Sequence, residues 1–275
     1  MAQQKLRILA LHGYTSNSFV LHRRFGAIRK ACRNVADFVF VNGPLLVQPI
    51  TSTQSLDAPD GQDEVTEDTP IEQQPRAWWR ATDEGAYKDI GQSWSLLSDE
   101  IAKMGGIDGV VGFSQGACLA AIIAAAFENP SLLPDLKIPE GHPPLKFCIA
   151  ISGFRSRDPN HQALFEGKDG KGISTPVLSI LGRSDQIVTE DRSQTLLDCC
   201  QKSRVEWHPG GHVVPSQAPW RNFMRDFLAT FTTEQQPNED WRTVESPETR
   251  GSHGEDDEAG SGASTPARGG KRPGL

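Results

Sequence analysis

The chain has 275 residues, with 28 Lys and Arg against 35 Asp and Glu for a formal charge of −7. That balance argues against a general nucleic-acid binder, which needs clustered cations to hold phosphates, and no run approaches the roughly 18 apolar residues of a membrane span. The opening MAQQKLRILALHG lacks the basic region and apolar stretch of a signal peptide, so a soluble protein of the cytoplasm, or also of the nucleus, is expected.

In chain order the first element is a strand, LRILALHG, followed by a helical pattern in VLHRRFGAIRKACR and a second strand in DFVFVNGP. About 45 residues without clear periodicity come next, longer than a passive connection, and such loops tend to be lids or binding loops. We place this lid-like loop at about residues 44–92. Alternation then resumes: helix SWSLLSDEIAKMG, strand IDGVVGFS, helix GACLAAIIAAAFEN, strand FCIAISGF, strand TPVLSILG, helix SQTLLDCCQKS, strand SRVEWHPGGH and helix PWRNFMRDFLATF. Most of the strands are almost continuously apolar, as expected when both sheet faces are covered. The fold class is therefore α/β, a doubly wound, mostly parallel sheet with helices on both faces. One domain over residues 1–233 is expected. Residues 234–275, rich in Gly, Pro, Ser and charge, read as a disordered tail. The five cysteines lack metal-type spacing and read as reduced core thiols.

Gly112-Phe113-Ser114-Gln115-Gly116 joins a strand to an Ala-rich helix. Glycines two residues either side of a serine allow strand and helix to approach while the serine takes a strained turn that exposes its hydroxyl, the G-x-S-x-G nucleophile elbow. Such a serine needs a base, and the base needs a third group to orient it. In this architecture an acidic residue and then a histidine follow, each after a later strand. Asp185 lies in the polar turn after TPVLSILG, and His212 in the glycine turn after SRVEWH. Asp191 and Asp198 fall further on, in the next helix. His208 lies before the glycines and reads as a surface or packing residue, while His142 and His161 precede the acid and break the order. The loop after the first strand, His12-Gly13-Tyr14, should supply one backbone N–H of an oxyanion hole. The amide of Gln115, at a helix N-terminus, should supply the other. His12 itself reads as a buried structural histidine. The chemistry implied is acyl transfer to water through an acyl-enzyme.

Together, LALHGYTSNS, AWWRA, IDGVVGFSQGACLAA, FCIAISGF, GRSDQIV and PGGHVVP resemble the FSH family of serine hydrolases, a compact branch of the α/β-hydrolases that includes fungal enzymes and the ovarian-cancer-associated hydrolases of animals. The resemblance spans about residues 5–230 and puts the triad at Ser114, Asp185 and His212. It implies a serine esterase without metal or organic cofactor, cleaving a small-molecule carboxylic ester. The alternative it implies is a thioesterase or esterase of polyketide biosynthesis. A non-catalytic α/β-hydrolase-like binding protein is disfavoured by the presence of all three triad candidates.

Trp78, Trp79, Phe113, Phe154 and Val213 lie near the predicted site and would form an apolar wall for an acyl group. The two tryptophans would serve equally as core or lid packing. The acidic segment DAPDGQDEVTEDTPIE would repel a polyanion such as acyl-coenzyme A if it covered the entrance. A loop facing away is the equal alternative. Oligomeric state is not legible.

Overall fold

The computed structural model describes residues 4–48, 65–167, 172–232 and 239–251. Six parallel strands form the centre: β1 (Leu6–Leu11), β2 (Ala36–Val41), β3 (Gly109–Phe113), β4 (Phe147–Ile151), β5 (Val177–Gly182) and β6 (Ser203–His208), in the order β6-β5-β4-β3-β1-β2. Around them lie α1 (Ser18–Arg24), α2 (Gly26–Cys32), α3 (Ile90–Lys103), α4 (Gln115–Glu128), α5 (Gln162–Phe165), α6 (Glu190–Leu197) and α7 (Ala218–Ala229). The one helix expected over residues 20–33 is two, broken at Phe25-Gly26, where glycine has low helix propensity.

Period-two alternation sends each strand's side chains to opposite layers. Leu9 and Leu11 of β1 join the layer of α3, α4, α5 and α6. Leu6, Ile8 and Ala10 join the layer of α1, α2 and α7. Helix α4 is buried from Gln115 to Phe127. Its alanines let it lie close to the sheet on one side and accept packing on the other. All five cysteines are buried thiols. Among the described residues no helix is long and apolar enough to cross a membrane.

The winding of the sheet reverses between the parallel neighbours β1 and β3: β1 leads to α1 on one face and β3 leads to α4 on the other. A crevice opens at the carboxyl ends of strands at such a switch point. Register aligns those ends, with Leu11 beside Gly112, Phe113 beside Ile151 and Gly182 beside His208.

The long loop is more ordered than its sequence pattern suggests. Residues 49–64 lie outside the described residues, and with them the first half of the acidic segment. The remainder forms two antiparallel two-residue ladders, Leu45–Leu46 with Arg76–Ala77 and Arg80–Ala81 with Tyr87–Lys88. Beyond α7 there is a second difference. Residues 239–251 fall in the expected disordered tail, yet they pack on the domain. Trp241 is 1% exposed and meets Phe227 edge-on at 6.3 Å. Arg204 donates to the carbonyls of Trp241 (2.7 Å) and Val244 (2.6 Å), and Ser246 Oγ donates to Glu206 at 2.9 Å. One aromatic with backbone acceptors anchors a segment that is otherwise polar.

Candidate active site

Ser114 sits between β3 and α4 at φ 54°, ψ −115°, a conformation that costs a non-glycine residue on the order of 1–3 kcal/mol and that surrounding structure must enforce. Its amide extends the sheet by donating to Ile151 O at 2.9 Å, and its carbonyl accepts from Ala117 and Cys118 to start α4. The flanking glycines have steric causes. A Cβ on Gly112 would collide with the Gly116 carbonyl, and a Cβ on Gly116 with the carbonyls of Leu11 and His12. Strand β3, helix α4 and the end of β1 thus meet backbone to backbone.

Asp185, in the turn after β5, accepts four hydrogen bonds. Oδ1 takes the amides of Ile187 and Val188, each at 2.9 Å. Oδ2 takes Ser152 Oγ at 2.9 Å and His212 Nδ1 at 2.8 Å. Burial favours the neutral acid, but the Val188 amide, His212, the Ile187 amide and Ser152 outweigh it and hold the carboxyl below its ordinary pKa. An ionised Asp185 fixes the proton of His212 on Nδ1 and leaves Nε2 as the basic atom. Ser152 escaped the sequence reading. It follows β4 at φ 50°, and the only trace of it was the Ser-Gly pair in FCIAISGF.

Gly13 brings the loop after β1 against the elbow. A Cβ there would stand 3.3 Å from Ser114 Cβ and 3.2 Å from the Phe113 ring. Among the described residues neither the Tyr14 nor the Gln115 amide donates to a protein acceptor. Just behind, His12 is fully buried. Gly43 N donates to its Nε2 at 2.8 Å, so Nδ1 carries the proton and donates to Gly13 O at 2.7 Å. Burial lowers its pKa to about 4, with Arg76 contributing in the same direction and the Gly13 bond opposing. Trp78 packs on the His12 ring at 5.0 Å and donates Nε1 to His12 O at 2.8 Å. The Gln115 side chain clamps the same segment, accepting from Trp78 N at 3.0 Å and donating to Trp79 O at 2.9 Å.

Among the described residues, two cavities are lined by Ser114. One, about 550 Å³, is lined by His212, Phe113, Tyr14 and Arg24, with Glu72 and Ile187. The other, about 370 Å³, is lined by Gln115, Trp79, Tyr87, Phe154, Arg157 and Arg192, among others. Of the expected wall, Trp79 and Phe154 therefore face the smaller cavity and Phe113 the larger, where its ring lies 4.7 Å from that of His212. Trp78 and Val213 line neither. Trp78 is held inside the core by His12 and Gln115. Val213 is 48% exposed, turned outward by a tight bend in which its amide donates to Gly211 O. His208 is buried and packs edge-on against Trp220, away from Ser114's cavities.

This architecture and elbow define an α/β-hydrolase. The solved structure of esterase PE8 is similar in fold, with a TM-score of 0.50 and 20% identity, covering 82% of this chain and 93% of that one. Residues 1–224 match the family model described as Serine hydrolase (FSH1), and the chain belongs to that family, an enzyme class that cleaves ester bonds. Esterase OVCA2 of Danio rerio is 32% identical over 241 residues, which cover 84% of this chain and all of that protein. A dihydrofolate reductase of Schizosaccharomyces pombe is 28% identical over 235 residues, 84% of this chain but 48% of that protein.

Proposed function

We propose that the protein hydrolyses a carboxylic ester with a largely apolar acyl group, using Ser114 as nucleophile, His212 as base and Asp185 as the group that orients it. The observation that carries this reading is the Asp185–His212 bond at 2.8 Å, with every other acceptor site of the carboxylate engaged by a donor. It leaves Nε2 as the ring nitrogen of His212 not bound to the carboxylate, on a side chain that lines the cavity Ser114 shares. The name of the Danio rerio relative, an esterase, supports the same reaction class.

In the first half-reaction Ser114 Oγ attacks the ester carbonyl carbon while Nε2 takes the hydroxyl proton. Charge on the carbonyl oxygen is received by the Tyr14 and Gln115 amides, the latter at the positive end of α4. The imidazolium then protonates the departing alkoxy oxygen, releasing an alcohol and leaving an acyl-serine. Water, deprotonated by the same Nε2, attacks the acyl-serine, and the imidazolium returns that proton to Ser114 Oγ as the bond to the acyl carbon breaks, releasing the acid and free Ser114. A thioester would follow the same steps with a thiol leaving, so a thioesterase role is the second substrate class for this site.

Ser114→Ala should abolish labelling by a fluorophosphonate probe and lower kcat by on the order of 10⁶, with His212→Ala losing a similar amount, because nucleophile and base act as one unit. Near-wild-type turnover by His212→Ala, with His208→Ala inactive, would move the base to His208 and overturn the assignment.

A further inference from the structure

The smaller cavity at Ser114 has a cationic end that hydrolysis itself does not use. Arg80, Arg157 and Arg192 all line it. Arg80 is already neutralised by Asp89 at 2.6 Å, but among the described residues no carboxylate pairs with Arg157 or Arg192. Arg192 is held in place, its guanidinium 3.8 Å from the centroid of the Phe154 ring and its Nη1 donating to Ile187 O at 3.3 Å. Burial lowers its pKa, and the next cause is the charge of Arg157, so each guanidinium lies within the field of the other. Two like charges at one end of a cavity repel, and an anion bound between them removes that repulsion.

On the triad reading above, the two cavities divide the substrate. The base that protonates the leaving group must face it, and His212 lines the larger cavity. Of the two proposed oxyanion donors, Tyr14 lines both cavities and Gln115 only the smaller one, with the arginines, so the acyl chain runs there. We propose that the acyl half of the substrate ends in a carboxylate recognised by Arg157 and Arg192, which makes the preferred substrate a half-ester or half-thioester of a dicarboxylic acid. Trp79, Tyr87 and Phe154 contact the methylene chain between the ester and that carboxylate. The proposal rests on the proposed triad and adds to it the identity of the acyl group.

The test compares p-nitrophenyl adipate half-ester with p-nitrophenyl hexanoate, which differ by a terminal carboxylate in place of a methyl. The full-length wild type should show a kcat/KM ratio favouring adipate by about tenfold or more, the scale of hydrogen bonds to a charged group. Arg157→Gln and Arg192→Gln should each lower the ratio by about tenfold, and reading the ratio cancels any general loss of activity. Wild type alone should lose part of its preference in about 0.5 M salt. A wild-type ratio at or below one, or a ratio unchanged in both variants, overturns the proposal. So does a preference for hexanoyl-coenzyme A over hexanoyl-N-acetylcysteamine that Arg157→Gln removes, since that would put the anion on the leaving group. Ser114→Ala separates the two layers: if it retains turnover of both esters the triad fails, whereas if it is inactive and the ratio is flat only the carboxylate assignment fails.

Discussion

Removing everything after Thr232 should destabilise the domain, although composition alone predicts no change. The lost segment contains Trp241, 1% exposed against Phe227, and truncating a buried tryptophan costs about 3–5 kcal/mol. It also supplies the two carbonyls that accept from Arg204 and the Ser246 hydroxyl that donates to Glu206. The Arg204–Glu206 pair is nearly buried, with side chains 11% and 8% exposed, so those bonds add roughly 1–2 kcal/mol. A loss of about 5 kcal/mol, at about 2–4 °C per kcal/mol for a domain near this size, lowers the melting midpoint by roughly 10–20 °C. Differential scanning fluorimetry on the full chain, a chain ending at Gly251 and a chain ending at Thr232 measures this. The first two should melt together and the third well below. A chain ending at Thr232 that melts within about 2 °C of the full chain would refute the reasoning, and an equal drop in both shortened chains would locate the stabilising residues beyond Gly251.

Trp78→Ala should cost about 3–5 kcal/mol of stability and weaken turnover of every ester together, because its ring packs on His12 and lines neither cavity. Trp79→Ala should in addition change the acyl chain-length profile by on the order of 1–3 kcal/mol, read from kcat/KM across a series of esters with melting curves alongside. Parallel profiles in the two variants would remove Trp79 from the pocket. His12, its pKa lowered to about 4 by burial, takes up a proton more readily in the unfolded chain than in the folded one. It therefore contributes stability fully present above pH 6.5 that is lost as pH falls toward 4, by roughly 3 kcal/mol in all. Urea unfolding at pH 7 and about pH 4.5 should show a smaller acid loss in His12→Asn than in wild type, and equal losses would assign the pH dependence to other groups.

The four inner strands were legible because each is an apolar run that must be covered on both faces, whereas the edge strands ADFVFV and SRVEWH are only partly buried. The positions of Ser114, Asp185 and His212 were legible because each lies just past the end of a strand, where a parallel sheet opens its crevice. What the reading missed are contacts between residues with no shared period. Ser152 reaches Asp185 across 33 positions. Trp241 is one aromatic in a segment whose average is polar, and averaging hides the residue that docks. Arg157 and Arg192 lie on separate segments, so their convergence is a property of the folded cavity alone. Val213 was placed by proximity in sequence to His212, but a bend can turn adjacent side chains to opposite sides, and here Val214 is the buried one.

Helix α4 has no solvent-facing side from Gln115 to Phe127, and this makes the elbow a collective product of the fold. Alanines contribute little surface each, so the helix is held in place by the combined packing of β1, β3 and β4 on one side and α5 on the other. The strained backbone angles of Ser114 rest on that packing as a whole. Loss of hydrolysis on heating should therefore follow loss of the whole fold rather than precede it, so that a turnover assay doubles as a count of intact molecules.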